Sequence, residues 1–507
     1  MTTKYAGFPT AFVYAEPSTK KKTANGKTNM IREVLFGDWV KVESPAVNGW
    51  CKVRVRGQVE WIKEGEKWKL RPREGWMLET SLRDDPVLQI FFVDIGQGDG
   101  CLVITPENKT ILIDAGEGDN MWRFLKWLYN TKNSNNPPKK IQHTIISHSD
   151  KDHYYGFAPL FKDPRFEFEN IWHNGLIERV GKDLLGAKDG GYHTEVISTE
   201  AELNAILDDD TKVGGKLYPN LLLNARKRGA KIRMLGKDNE YLEGFEADKT
   251  LKIKVLAPIT EKLPDGRKKM KRFSNDGITK NGHSIVLRLE YGNISILLGG
   301  DLNSESENYL LSQYTGINPV GADDEEKKAI LKVAKSIFGV DIAKSCHHGS
   351  ADFTNLFMQG IEAAATIISS GDSESHAHPR PETLGAIGKY GRGERPLIFS
   401  NELARSANES IKNPKELRDE IDKIVELLQN TANPVNEEKL KKMKDDLKKQ
   451  IQRTVTVYGL INLRTDGEKA VIAQRLEAEA DRGDWDYAML KPNSNGIMEY
   501  VSKNDDH

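Results

Sequence analysis

Three cysteines in 507 residues are too few, and too far apart, to staple a fold together. Cys51, Cys101 and Cys346 are odd in number and form no CxxC pair. That excludes a disulfide framework and a cysteine-built zinc site, and it fits a reduced compartment. A bound metal would have to be held by His, Asp and Glu. Excess charge is missing too: 74 Lys and Arg stand against 75 Asp and Glu, a formal net charge of −1. Without a global basic signature, any nucleic-acid contact must come from local patches. No apolar run nears the ~18 residues of a membrane span, and mean hydropathy is −0.57. The stretch MTTKYAGFPTAFVYAEP lacks a charged segment followed by an apolar core. No secretory signal and no membrane association are expected, and the expected location is the cytoplasm.

What is present falls into distinct textures, and a chain of this length is expected to hold two or three domains. Residues 1–85 consist of short aromatic-bearing runs such as GDWVKV, GWCKVRVRG and GWMLETSL, broken by turn residues. In WCKVRVRG, Trp50, Lys52, Arg54 and Arg56 alternate with Cys51, Val53 and Val55, the period of a half-exposed strand. Five or six such strands predict a small β-barrel. Residues 86–404 alternate apolar strands with helix-length segments, which predicts a layered α/β body. Across 405–453, apolar residues recur at helical spacing on both sides of Asn433-Pro434, a helical hairpin inserted late in the chain. Residues 454–480 return to strands that would close the layered domain, and 481–507 read as a polar tail.

The densest chemistry lies in SHSDKDHYYG, residues 147–156, directly after the apolar stretch IQHTII. His148, Asp150, Asp152 and His153 crowd into one turn at a strand end. A turn made for structure alone would use Asp and Gly and has no need of two histidines. Several N and O ligands converging from one small region suit a hard or borderline divalent cation. Asp301 follows the apolar strand ISILLGG, and His347 and His348 end the strand VDIAKSC, so further ligand types emerge at strand ends.

The stretch is similar to the H-x-H-x-D-H signature of the metallo-β-lactamase superfamily, with Asp150 in place of the second His. In that form it resembles the hydrolase domain of ComEC-type DNA-uptake channel proteins and their soluble relatives. Further segments match in order: FFVDIGQGDGCLV, TILIDAG, HSIVLRLEYGNISILLGGDL, VDIAKSCHHGS and SHAHPRPETL. The resemblance spans residues 86–403 and resumes over 454–475. It implies the αββα sandwich of the superfamily, preceded by the N-terminal strands, which look like a bacterial SH3-like domain.

The resemblance implies two divalent ions, Zn²⁺ or Mn²⁺, with the Asp150 substitution favouring harder ions such as Mn²⁺. His148 and Asp150 would bind the first ion, Asp152 and His153 the second, and Asp301 would bridge them. His348 best matches the last metal-binding His, leaving His347 as a neighbouring group or proton donor, although the two could exchange roles. His283 is a candidate for the missing third ligand of the first ion. His378 is a candidate general acid, phosphate contact or further ligand, and His376 is a weaker one. Asp94, Asp99 and Asp114 would orient histidines and hold the Gly-rich turn, where Gly96 and Gly98 permit a tight backbone path. Three residues depart from the family pattern: Cys346 replaces a Pro, Gly299 a Thr, and Arg380 the second His of the last motif.

In such a dinuclear site a bridging hydroxide attacks phosphorus in line, with Asp152, His347 and His378 the residues expected to carry catalysis. A phosphodiester substrate, DNA above all, is the implied target. Arg380, Lys268 and Arg272 are candidate substrate contacts, the last two on a loop in LPDGRKKMKRFSNDG. A small-nucleotide phosphodiesterase is the alternative within enzymes. A partner-gated interaction protein, binding through the SH3-like domain or the helical hairpin, is the alternative outside them. Soluble relatives of this type also occur in bacterial anti-phage systems, which implies an effector role.

Overall fold

The computed structural model describes residues 2–56, 59–64, 67–96, 98–131, 133, 135–370, 377–401, 414–431, 434–454, 459–480 and 483–502. The chain divides into two compact units. One comprises Met1–Gln89, Ala404–Thr465 and Val471–Ala488; the other comprises Ile90–Leu403, Asp466–Ala470 and Met489–His507.

The first unit opens with a seven-stranded sheet in the order Met30–Leu35, Thr10–Tyr14, Gly75–Leu78, Trp50–Val55, Trp39–Val42, Thr2–Ala6, Leu82–Arg83. The alternation read from WCKVRVRG is realised: Cys51, Val53 and Val55 are buried, and Trp50, Lys52 and Arg54 are half-exposed. Ala6, Val13, Val34, Val40 and Met77 complete this core. A separate antiparallel hairpin joins Val59–Glu64 to Lys67–Pro72. The helices Pro414–Asn430 and Pro434–Thr454 form the expected hairpin of helices.

The second unit is built on two sheets. One runs Lys231–Met234, Phe166–His173, Lys139–Ile145, Thr110–Ala115, Gly100–Ile104, then Leu88–Phe92, whose chain enters the unit at Ile90. The other runs Leu251–Ala257, Val286–Tyr291, Ile294–Leu298, Ile342–Lys344, Ala365–Ile368, Leu397–Ser400. Each combines an antiparallel hairpin with parallel strands. Parallel strands covered on both faces must be apolar throughout, which is why TILIDA and ISILL read as near-continuous hydrophobic runs. Phe92, Cys101 and Ile113 of the first sheet and Leu287 and Leu298 of the second line one narrow space between the layers. Outward-facing Val286, Leu297 and Ala343 pack instead against Leu310, Ile330, Ala334, Phe338 and Phe357, on three helices. On the first sheet's outer side, Phe91 meets Phe124 and Phe168 meets Phe161, both from helices. Helix, sheet, sheet, helix is the αββα sandwich.

Two local expectations are corrected. The basic stretch read as a loop is a strand, Lys268–Lys271, in a four-stranded sheet with Glu261–Lys262, Tyr192–His193 and Lys188–Asp189. The C-terminal stretch is not a featureless tail, since Met489–Pro492 pairs antiparallel with Met498–Val501. Its turn residues Asn493 to Gly496 close that hairpin, a feature the polar composition hid.

Candidate metal centre

Strand ends deliver the site. Asp114 is the penultimate residue of Thr110–Ala115, and His148 follows Lys139–Ile145. Asp301 follows Ile294–Leu298, and His348 follows Ile342–Lys344. The sheet interior excludes polar groups, so they collect where the chain leaves the carboxyl ends of the strands. After Asp150 one helical turn, Lys151–Tyr154, carries Asp152 and His153.

His153 Nε2 lies 3.1 Å from Asp301 Oδ2 and 3.2 Å from His348 Nε2. His348 Nε2 lies 3.1 Å from the same Asp301 oxygen and 3.6 Å from Asp152 Oδ2. The opposite ring nitrogens decide what these atoms are. His348 Nδ1 stands 3.1 Å from the carbonyl of Ser369, an acceptor only, so Nδ1 is the donor. His153 Nδ1 stands 2.9 Å from Asp114 Oδ2 and donates likewise. In the neutral imidazoles both Nε2 lone pairs then point at each other and at a carboxylate oxygen. Among the described residues Asp301 Oδ1 is buried without a hydrogen-bond partner, 3.8 Å from Lys344 Nζ. Acceptors converging in a closed space fit a cation, and the donor set fits Zn²⁺ or Mn²⁺.

Without a cation, the same carboxylates favour the protonated imidazoles instead. Burial disfavours a charged His153, but Asp301, Asp114 and Asp152 override it and push the imidazole well above its usual range. Burial acts the same way on His348, and Asp301 and Asp99 override it there. Burial would raise the Asp152 carboxyl, yet His153 and His348 hold it below the carboxylate range. The centre carries a surplus of negative charge that a divalent cation would neutralise.

Not every expected residue joins this group. His148 converges with His153 and Asp301, and burial and His153 hold it down at about 4. Asp150 comes only within 3.8 Å of His148 Nε2, and its carboxylate pairs with Lys280. His283 is corrected: its Nε2 donates to the Lys271 carbonyl at 2.7 Å and its ring stacks on Phe273, so it is committed elsewhere. Asp114 also accepts from Ser147 N and Oγ, at 2.8 and 2.6 Å. Asp99 Oδ1 lies 3.3 Å from His348 Nδ1. Asp94 holds the turn, accepting from Gly96 N at 3.3 Å. At Gly98, with φ +97°, a Cβ would stand 1.7 Å from the carbonyl oxygen of Asp152, which explains the glycine.

His347 and His348 both adopt left-handed backbone, with φ of 47° and 53°. The His347 ring lies 5.7 Å from that of His378, which is buried 6.4 Å from His348. Arg380 sits beside them, its backbone N–H donating to Gly349 O at 2.8 Å. Lys268 Nζ is paired with Asp238 at 2.8 Å, and Arg272 donates from its backbone to Gly191 O. The structure therefore does not bring those two basic residues into the centre. His376 lies outside the described residues. Two departures from the family pattern face each other: a Cβ on Gly299 would stand 2.5 Å from Cys346 Sγ.

Sequence reading missed Lys344, a buried ammonium paired with Asp99, and Lys280. It also missed Ser147 and Ser284, whose hydroxyls flank His148 Nδ1 at 3.1 and 3.3 Å. Lys344 had a visible signal, the one charge in the short buried strand Ile342–Lys344; the serines had none.

Residues 100–200 match the metallo-β-lactamase superfamily model, a span containing the whole SHSDKDH turn. ComE operon protein 3 of Bacillus subtilis (strain 168) is 24% identical over 315 residues, covering 60% of this chain. The chain accounts for 31% of that protein's length, about a third. Among solved structures, a metal-dependent hydrolase of the β-lactamase superfamily aligns over 62% of this chain and 95% of its own. The identity is 14% and the TM-score 0.26. A putative metal-dependent hydrolase from Parabacteroides distasonis ATCC 8503 aligns over 62% of this chain and 93% of its own, at 11% identity and a TM-score of 0.29. The match to the metallo-β-lactamase superfamily model over residues 100–200, the similarity to ComE operon protein 3 and the αββα layers with His and Asp at their strand ends all agree.

Proposed function

We propose that this chain is a metal-dependent phosphodiester hydrolase and that its substrate is DNA. The observation that carries the reading is the convergence of His153 Nε2, His348 Nε2 and Asp301 Oδ2 within 3.2 Å of one another, with Asp152 beside them. Asp152, His153, Asp301 and His348 would hold the cation, with His148 at the margin. When bound, a divalent cation supplies Lewis acidity toward a phosphoryl oxygen and toward water. The protein's own groups do the rest. Asp114 and the Ser369 carbonyl fix the imidazoles, and Lys344 holds Asp99 and Asp301 in place. His347 and His378, whose rings lie 5.7 Å apart, would give a proton to a leaving alkoxide. Arg380, next to the same turn, would offset phosphate charge. DNA as the target rests on the ComEC-like resemblance, as does an effector role in anti-phage defence.

Purified protein loaded with Mn²⁺, Zn²⁺ or Mg²⁺ should be tested on linear DNA, circular DNA, RNA and a chromogenic bis-aryl phosphodiester. DNA cleavage that stops with chelator is the expected result. Turnover of the aryl ester alone would replace DNA with a small nucleotide as substrate. Silence on every substrate with metal bound would replace the enzyme reading with a partner-gated one.

A further inference from the structure

The dinuclear expectation assigns Asp150 to one of two ions, and Asp150 is already taken. Its Oδ1 pairs with the Lys280 ammonium, whose second partner is Glu178 Oε1 at 3.1 Å. With the Asn281 amide turned so that both its ends are satisfied, the Asn281 nitrogen donates to Asp150 Oδ2 at 2.7 Å. Both donors come from one short helix, Asp276–Gly282. That helix is fixed in place: Asn275 caps it at Ile278 N, Asn303 Nδ2 donates to Ile278 O, and Lys188 pairs with Asp276 at 3.0 Å. The Lys280 and Glu178 side chains are each only 14% exposed, so the ammonium is built into the site and does not merely lie over it.

We infer that Lys280 takes the place of the second cation, so that this chain binds one divalent ion where the dinuclear pattern would bind two. The ligand supply is lopsided. Asp152, His153, His348 and Asp301 surround one position. The other position retains His148 and a share of Asp301. Asp150 appears in none of the converging groups among the described residues, and His283 is bound to a backbone carbonyl. Among the described residues, and with His153 given to the first position, a divalent ion there would have two ligands and an ammonium for a neighbour, short of the coordination that Zn²⁺ or Mn²⁺ demands and repelled by like charge. The Lys280 charge supplies to Asp150 what that ion would have supplied.

The inference rests on the metal-centre reading above, and the following measurement separates the two. The full chain is stripped with chelator, reloaded with excess Mn²⁺, desalted and weighed by native mass spectrometry. One Mn²⁺ per chain is expected for the wild type and for Lys280→Arg, and two for Lys280→Met, which keeps the length and removes the charge. Two ions on the wild type would overturn the inference and leave the metal centre standing, whatever the variants do. A single ion on folded Lys280→Met would overturn the role given to Lys280. No ion on the wild type would overturn both readings together.

Discussion

His153 and His348 reach the same oxygen of Asp301, each Nε2 at 3.1 Å from it and 3.2 Å from the other. The two segments lie almost two hundred residues apart, and only the carboxylate between them gives the pairing a purpose. Asp301→Ala should therefore reduce metal content below one equivalent and lower phosphodiester hydrolysis by at least ~10²-fold, the scale of losing one preorganised charged group. Elemental analysis of the variant beside a rate measurement checks both.

Asp114 acts through another residue. It accepts from His153 Nδ1 and Ser147, and so fixes the imidazole that offers its other nitrogen to the centre. Asp114→Asn keeps the size and weakens the acceptor. Metal affinity should fall ~10–100-fold with the fold retained, as expected for a lost carboxylate–histidine pair. Competition with a fluorescent chelator measures the affinity, and circular dichroism the fold.

Gly98 lies where the Gly-rich turn passes against the helical turn bearing Asp152. A Cβ there meets a backbone oxygen at 1.7 Å, at a φ that L side chains rarely adopt. Gly98→Ala should destabilise by more than ~2 kcal/mol and displace Asp152, costing metal affinity as well. Gly96→Ala is the control. Its φ of +85° is also positive, but among the described residues its Cβ would meet only Asn120 Nδ2, at 3.8 Å, so a loss of ~1 kcal/mol is expected. Thermal melts of both variants decide.

Much of this site was legible because ligand residues at strand ends leave a linear mark: an apolar run, then His or Asp. The Gly98 turn and the Asp301 and His348 positions follow from that mark. The pairing of Asp150 with Lys280 does not. It joins segments 130 residues apart, and a lysine in ITKNGHS looks like any solvated lysine until the helix carrying it is placed. His283 misled for the same reason, since only the fold shows the Lys271 carbonyl waiting for its ring nitrogen. The basic strand Lys268–Lys271 read as a loop because its partners are two-residue strands too short to register as a pattern.

Glu307 gives a pH dependence independent of the metal. Burial raises its carboxyl from an ordinary 4.5 to about 8, against the backbone N–H of Thr354 that favours the charged form. The folded chain keeps this proton to about 8 while the unfolded chain releases it near 4.5, so stability falls as pH rises through that window and levels off above it. The slope is at most ~1.4 kcal/mol per pH unit. Glu307→Gln should remove it, matching the wild type in mild acid and exceeding it by a few kcal/mol in mild alkali. Denaturant titrations across this range provide the check.

The central claim is that His153, His348, Asp152 and Asp301 hold a divalent cation. Crystals grown with Mn²⁺ and measured on both sides of the manganese absorption edge test it most directly. The account predicts an anomalous peak among His153 Nε2, His348 Nε2 and the two carboxylates, lost in Asp301→Ala. Crystals whose only manganese lies on surface carboxylates, with these four side chains in their present positions and nothing between them, would contradict it.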